Sequence, residues 1–204
     1  MSSLMEFFHA CERLKNESRQ TYKSNGTHET VAEHSWRLCL MVMVLSETVE
    51  SIDRDKCIRM ALIHDLPEVY AGDAYRLDVK AQAGRHATEQ GALESLLRLV
   101  PEAAAEEIAS LWLEFEEGKT REARLVRLVD RLEVLVQHNE SEVHQWNDVE
   151  RQIQYGLAGK HSERYGFLSD FASEIDQETK KKLGDAGYHT GLLDQDTYDK
   201  YYGT

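Results

Sequence analysis

Two histidines and two aspartates at three places are the residues of this chain best suited to hold a metal ion. His64 and Asp65 are adjacent, His34 precedes them, and Asp130 lies much later, in the segment Leu-Val-Asp-Arg-Leu-Glu. Imidazole nitrogens together with carboxylate oxygens suit a borderline divalent cation such as Mn, Co, Fe, Ni or Zn. In an octahedral shell these ligands leave two positions for water and a substrate oxygen, so the set indicates metal-assisted hydrolysis.

Each of these residues taken alone has a simpler explanation. An inward histidine is more often a hydrogen-bonded core residue than a ligand, and a His-Asp dipeptide often arises by chance. Here the dipeptide is followed by Pro67-Glu68 and then by Gly72-Asp73, with an inward histidine upstream and an inward aspartate downstream. An ionised aspartate on an apolar helix face is costly without a partner. The combination therefore favours a metal site.

Hydrophobic periodicity predicts the helices that point these side chains inward. A capping box at 30–33 predicts a helix from there to about Glu50, with His34 on its apolar face. A second helix over 54–66 is predicted to stop near Pro67, because proline disfavours helical backbone at the residue before it. Asp130 lies on the apolar face of a predicted helix. The later predicted helices lie at about 82–99, 102–117, 120–144 and 167–175.

The length of the chain and its few prolines and glycines limit the possible architectures. A chain of 204 residues with only 2 prolines and 12 glycines is typical of one compact domain with long helices. Asn25-Gly26 is a turn signal inside a polar stretch, and the periodic signal weakens beyond about Tyr155. We predict an all-α, single-domain helical bundle over 1–155 and a C-terminal helical extension and tail over 156–204, packed on the same domain.

Composition excludes several partners. The chain carries 37 acidic and 24 basic residues, a formal net charge of -13, so a nucleic-acid polymer is not an expected partner. No apolar run approaches the ~20 residues of a membrane span, and the first residues lack the features of a signal peptide. The three cysteines form no C-x-x-C pair, which favours thiols in a reducing compartment. We therefore expect a cytoplasmic protein.

Three segments resemble the H…HD…D signature of the HD-domain metal-dependent phosphohydrolases. They are the segment 29–35 around His34, the segment 61–68 around His64-Asp65 with Gly72-Asp73 after it, and the segment 128–132 around Asp130. The match is closer still to the branch of YfbR-like 5′-deoxynucleotidases and small HD-domain-containing proteins. It covers roughly residues 5 to 150. The resemblance implies an HD-domain helical bundle that holds one divalent metal ion, with Mg added to the candidates above.

The same resemblance implies roles for further residues. Glu68 matches the acid that orients or deprotonates the attacking water, and its place one turn after His64 suits a general base. Asp73 matches the acid near the bridging ester oxygen and sugar. Arg19 matches an arginine that binds the 5′-phosphate, for which a guanidinium offers a bidentate fork. Lys80 lies near a further phosphate-facing lysine, with an offset shifted by one.

One departure concerns the sugar. The deoxynucleotidase has an aromatic residue directly after its phosphate-binding arginine, and this residue helps to exclude the ribose 2′-hydroxyl. Here Gln20 takes that place, and glutamine can hydrogen-bond a hydroxyl. The sequence therefore leaves ribonucleotides and other phosphomonoesters open as substrates.

Other assignments remain alternatives. Dinuclear HD phosphodiesterases need extra histidines between the HD pair and the last aspartate, where this chain has only His86. The hydrolases of guanosine tetraphosphate carry a Glu-Asp pair after their HD pair, whereas Val69 follows Glu68 here. A regulatory domain that binds metal without turnover would not need Glu68 and Asp73. We predict that His86 and Glu89 lie on a solvated helix face, with Arg85 and His86 bordering the pocket.

Together these observations predict a metal-dependent phosphohydrolase for a small anionic, nucleotide-like substrate. A nucleoside 5′-monophosphate is the expected class. A homodimer is expected from the family resemblance alone.

Overall fold

Helices make up most of the fold, as the sequence predicts. The computed structural model describes residues 3–75, 77, 84–188 and 191–202. The helices are α1 (Ser3–Cys11), α2 (Val31–Leu45), α3 (Arg54–Ile63), α4 (Glu68–Ala71), α5 (Arg85–Leu97), α6 (Glu102–Glu117), α7 (Arg121–Glu140), α8 (Asp148–Ile153), α9 (Leu157–Tyr165), α10 (Ser169–Asp185) and α11 (Gln195–Tyr202). The all-α class is confirmed. Within the described residues, none of these helices has the length and apolar character needed to cross a bilayer.

A small two-stranded sheet interrupts the helical pattern. Strands β1 (Ser18–Tyr22) and β2 (His28–Thr30) pair with each other. The Lys23 N–H donates to the Thr27 carbonyl at 2.8 Å, and Gly26 turns the chain with a φ of +82°. The turn signal at Asn25-Gly26 is confirmed, but the strands beside it were not predicted, because they are too short and polar to show alternation.

Chain contacts divide the protein into two compact units, which comprise residues 1–20 with 29–127 and residues 21–28 with 128–204. In the first unit α2 packs along α3. The side chains at its core are fully shielded from solvent and apolar, and they include Val31, Leu38, Val42, Cys57, Met60, Ala61 and Leu96.

The start of α2 follows the predicted capping box. The Thr30 side chain accepts from the Glu33 backbone N–H, and the Glu33 carboxylate accepts from the Thr30 N–H at 2.9 Å. Val31, His34, Leu38 and Val42 follow at helical spacing and are buried. The cap therefore fixes the first turn of the helix that carries His34.

Helix α3 ends earlier than predicted, at Ile63 rather than near 66. The chain continues in tight turns, in which the Leu66 N–H donates to Ile63 and the Glu68 N–H to Asp65, both at 3.0 Å. Pro67 has no N–H to offer to a continuing helix. As a result His64 and Asp65 lie at a helix end, where side chains can leave the regular helical face.

The second unit contains more helix than the sequence predicted. The helix expected near 167–175 is confirmed as α10, but α8, α9 and α11 were missed. Helix α9 is capped from outside its own sequence, because the Asp176 carboxylate accepts from the N–H groups of Gly156, Ala158 and Gly159 at 2.9–3.2 Å. Because Asp176 lies far from these residues along the chain, the sequence around α9 does not indicate the cap. The predicted boundary at 155 stays a prediction.

Candidate metal and phosphate site

His34, His64 and Asp65 converge within the first unit. His64 Nε2 lies 3.0 Å from Asp65 Oδ2, and His34 Nε2 lies 3.9 Å from the same oxygen. All three residues are buried. A ligand atom of His34 lies within 4.8 Å of one of His64. Burial raises the pKa of Asp65, but His64, Arg19 and His34 outweigh it and hold that pKa below its usual range.

The orientation of His64 suits a metal ligand. Its Nδ1 lies 2.8 Å from the Ala61 carbonyl oxygen. A carbonyl only accepts hydrogen bonds, so Nδ1 carries the proton and Nε2 keeps its lone pair in the neutral ring. A backbone carbonyl in this position is the usual orienting partner of a metal-binding histidine. The His64 ring also packs edge-on against Phe115, at 5.3 Å between ring centroids.

Glu68 is a buried carboxylate at the start of α4 and is only 2% exposed. Burial raises its pKa to about 10, with the Asp65 and Asp73 carboxylates adding to the rise and Arg19 and Arg85 opposing it. A buried acid with a raised pKa next to other carboxylates is a feature of catalytic sites.

Asp73 follows a tight turn at Gly72. The Gly72 backbone has a φ of +77°, which is unfavourable for other residues. The Asp73 N–H donates to Glu17 Oε1 at 3.1 Å, and this bond fixes the turn. Burial raises the pKa of Asp73, although the nearby Arg19 lowers it.

Arg19 links the carboxylates of the site. Its Nη1 donates to Asp65 Oδ2 at 3.1 Å and lies 4.0 Å from Asp73 Oδ1, while its Nε lies 3.4 Å from Glu29 Oε2. Burial lowers the pKa of Arg19, but the charges of Asp65, Asp73, Glu68 and Glu29 outweigh it and raise it. The guanidinium therefore stays charged.

The structure brings three further charged residues to this region, of which Glu29 had no predicted role and Arg85 was expected only to border the pocket. Glu29 is 2% exposed and contacts both Arg19 and Arg37. Arg85 contacts Glu68 and Glu89. The prediction that Glu89 lies on a solvated face is wrong, since it is 5% exposed. Only its spacing of four residues from Arg85 could have signalled the pair.

Two of the remaining predicted residues also lie in described parts of the chain. Gln20 is exposed, and as the neighbour of Arg19 on β1 it faces the opposite side of the strand. Asp130 is half-buried on α7. Its neighbour Arg131 donates through Nε to the Tyr165 hydroxyl at 3.2 Å. Lys80 lies outside the described residues.

The balance of charge in the first unit favours a cation. Glu29, Asp65, Glu68 and Asp73 are four acids gathered around the Arg19 guanidinium. Buried carboxylates at this density repel one another unless protons or a cation compensate them. With two imidazole nitrogens aimed at the same carboxylate, this donor set fits a divalent metal.

Known proteins resemble the chain over most of its length. The sequence model of the HD domain family matches residues 11–166. The human protein named 5′-deoxynucleotidase HDDC2 is 31% identical over 142 residues, which cover 69% of each chain. The mouse protein of that name is 28% identical over 193 residues, covering 93% of this chain and 95% of its own.

A solved structure agrees with these matches. A predicted metal-dependent phosphohydrolase from Magnetospirillum magnetotacticum MS-1 superposes with a TM-score of 0.75 at 28% identity, covering 94% of this chain and 95% of that one. The HD domain match and this neighbour together imply that the chain binds a divalent metal.

Proposed function

Since the chain belongs to the HD domain family, we propose that it is a metal-dependent phosphomonoesterase that removes the 5′-phosphate from nucleoside 5′-monophosphates. The observation that carries the proposal is the convergence of His34 and His64 on the Asp65 carboxylate. The buried Glu68 and the half-buried Asp73 lie nearby. Relatives named 5′-deoxynucleotidase support deoxynucleotides as the first substrates to test.

One divalent ion is proposed, held by His34, His64, Asp65 and Asp130. Its identity is open among Mn, Co, Fe, Ni, Zn and Mg. The bound ion would acidify a water molecule and polarise the phosphoryl oxygens. Asp130 joins the set on the H…HD…D motif alone.

Glu68 is proposed as the general base. Its carboxylate would orient the attacking water and take up the water's proton. The raised pKa belongs to the metal-free protein. A bound divalent cation would lower it, because its charge offsets the neighbouring carboxylates, and would leave Glu68 ionised to accept the proton.

Asp73 is proposed as the general acid that protonates the leaving 5′-oxygen. Burial raises its pKa, which is the direction of shift that a general acid requires. The Gly72 turn and the bond to Glu17 hold its backbone in place.

Arg19 is proposed to bind the substrate phosphate. It is a permanently charged donor fork, and it already lies against carboxylate oxygens that a phosphate would resemble. On the family resemblance alone, Lys80 is proposed as a second phosphate contact and Gln20 as a contact to the sugar.

A homodimer in the cytoplasm is proposed for the working protein. Trp36, Leu40 and Met43 form an exposed apolar stripe along α2, which supports burial against a second copy. Cys11, Cys39 and Cys57 are free thiols, which supports a reducing compartment. Light scattering of wild type and Trp36→Glu tests the dimer, which the variant should weaken.

The activity is tested by inorganic phosphate release from matched ribo- and deoxyribonucleoside 5′-monophosphates with Mn, Co, Mg or Zn. We expect release that depends on the metal and vanishes in a His64→Ala/Asp65→Ala variant. The ratio of deoxy to ribo rates reports on Gln20, and Gln20→Trp should raise it. Bound metal without release from any nucleotide would overturn the substrate assignment.

A further inference from the structure

Arg85 connects two buried carboxylates that belong to different helices. It is the first residue of α5, and its Nη2 lies 3.5 Å from Glu68 Oε1 on α4. Its Nε donates to Glu89 Oε1 one turn later on α5. The Glu68 and Glu89 side chains are 1% and 6% exposed, against 29% for Arg85. One guanidinium thus reaches from the protein surface to both acids.

This arrangement differs from an ordinary surface pair. Exposed pairs four residues apart on a helix contribute little to stability. Here the partner carboxylates are shielded from water, where an uncompensated charge is costly. A helix packed only for stability would place an apolar residue at position 89, as at Leu93 and Leu96 on the same buried face. The contact with Arg85 explains why an acid stands at this buried position.

As a general base, Glu68 must have its carboxylate held in one position. A glutamate side chain has three rotatable bonds, and a general base acts only when its oxygen lies within hydrogen-bond reach of its proton. A planar guanidinium held at one end is a stiff support for a carboxylate. Glu89 holds one end of the Arg85 guanidinium by accepting a hydrogen bond from Nε. This bond fixes the plane in which Nη2 points toward Glu68.

We propose that Arg85 is a positioning residue that fixes the carboxylate of Glu68 for catalysis, and that Glu89 anchors Arg85. The inference rests on the proposed function. It gives Arg19 and Arg85 different tasks, since Arg19 contacts Asp65 and Glu29 whereas Arg85 contacts Glu68 and Glu89.

Steady-state kinetics of Arg85→Ala, Arg85→Lys and Glu89→Gln test the proposal. We expect kcat of Arg85→Ala to fall by about 10- to 100-fold, the range for a misplaced catalytic group, while KM changes little. Arg85→Lys and Glu89→Gln should fall between this variant and wild type. Millimolar guanidinium ion should restore part of the kcat of Arg85→Ala.

Coupling to Glu68 is the decisive measurement. Adding Arg85→Ala to Glu68→Gln should cost no further activity, because residues that act as a unit are not additive. Arg59→Met is the matched control, since Arg59 forms an exposed ion pair with Glu107 on the same unit. It should leave kcat and KM unchanged. Mn²⁺ affinity and melting temperature of all variants separate positioning from loss of the metal or of the fold.

The outcomes separate this inference from the proposed function. No phosphate release from wild type would overturn both. An active wild type with an equally active Arg85→Ala would overturn the inference alone. A raised KM with unchanged kcat would also overturn it, because that split indicates direct binding of the phosphate by Arg85. Loss of Mn²⁺ binding in Arg85→Ala would overturn it in favour of a structural role.

Discussion

At the scale of single residues, one carboxylate oxygen of the candidate site contacts two side chains that have different proposed roles. Asp65 Oδ2 lies 3.0 Å from His64 Nε2 and 3.1 Å from Arg19 Nη1. The same oxygen therefore serves a proposed metal ligand and a proposed phosphate-binding residue. An anion that arrives at Arg19 competes with Asp65 for the guanidinium, so phosphate affinity and the state of Asp65 are linked. Changing either residue affects more than one function.

The buried acid Glu68 makes the stability of the metal-free protein depend on pH. Its pKa is raised to about 10 in the fold, against about 4.3 in an unfolded chain. The folded state thus binds more protons between these values, and stability falls as pH rises through them. The loss is at most about 1.4 kcal/mol per pH unit.

Glu68→Gln should therefore flatten the decline. The measurement is the melting temperature of the chelator-treated protein from pH 5 to 9. Glu107→Gln, at an exposed position, is the control and should keep the wild-type slope. Equal slopes for wild type and Glu68→Gln would show that Glu68 is not buried as a protonated acid.

Sequence reasoning at this scale found residues whose spacing is local. His64, Asp65, Glu68 and Asp73 lie within one short segment, and the structure brings them near His34 and Arg19. Glu29 was missed and the contact of Arg85 with Glu68 was not predicted, because both depend on contacts between separate segments. Glu89 was placed on the wrong face, since a charged residue in a helix is usually solvated.

At the scale of helices and strands, the N-terminal cap of α2 positions His34. Thr30→Ala removes the side-chain acceptor for the Glu33 N–H, at a cost of about 1 kcal/mol in unfolding free energy. We also expect weaker metal binding, because His34 lies in the first turn of this helix.

The chain offers a matched control for the cap. Asn147 forms a capping box with Glu150 at the start of α8. Asn147→Ala should lower the melting temperature by a similar amount but leave Mn²⁺ affinity unchanged. Equal metal affinities for both variants would show that the α2 cap is important only for stability.

The C-terminal helix α11 packs on other helices of the second unit through its tyrosine side chains. His161 Nδ1 lies 3.0 Å from the Tyr198 hydroxyl, and the Arg131 guanidinium lies over the Tyr202 ring at 5.7 Å. Ending the chain after Leu193 removes both contacts. We expect a loss of about 3–5 kcal/mol in unfolding free energy, the range for deleting a large buried aromatic side chain.

Denaturant unfolding of the shortened and complete chains measures this loss. Tyr198→Phe, which removes only the hydroxyl, should cost about 1 kcal/mol. An unchanged midpoint in the shortened chain would contradict a stabilising role for α11. This role was not predicted, since the last residues show no clear period and their anchors lie on α7 and α9.

At the scale of the whole molecule, charge opposes the proposed substrate. The chain has a formal net charge of -13, and a nucleoside monophosphate is an anion. Salt screens such repulsion, because the Debye length falls from about 30 Å at 0.01 M to about 8 Å at 0.15 M ionic strength. We therefore expect kcat/KM to rise by about two-fold over this range, in the direction of screened repulsion, while kcat stays constant.

The opposite result, a fall in kcat/KM with rising salt, would show which charges produce the electrostatic field that the substrate meets. The site holds Arg19 and Arg85 and is proposed to hold a divalent cation, and these positive charges offset the acids gathered there. If kcat/KM falls with salt, this local field dominates the approach of the substrate over the net charge. Arg59→Glu, which adds negative charge at an exposed position, should steepen a rise with salt. If it leaves the salt dependence unchanged, the surface charge does not influence association.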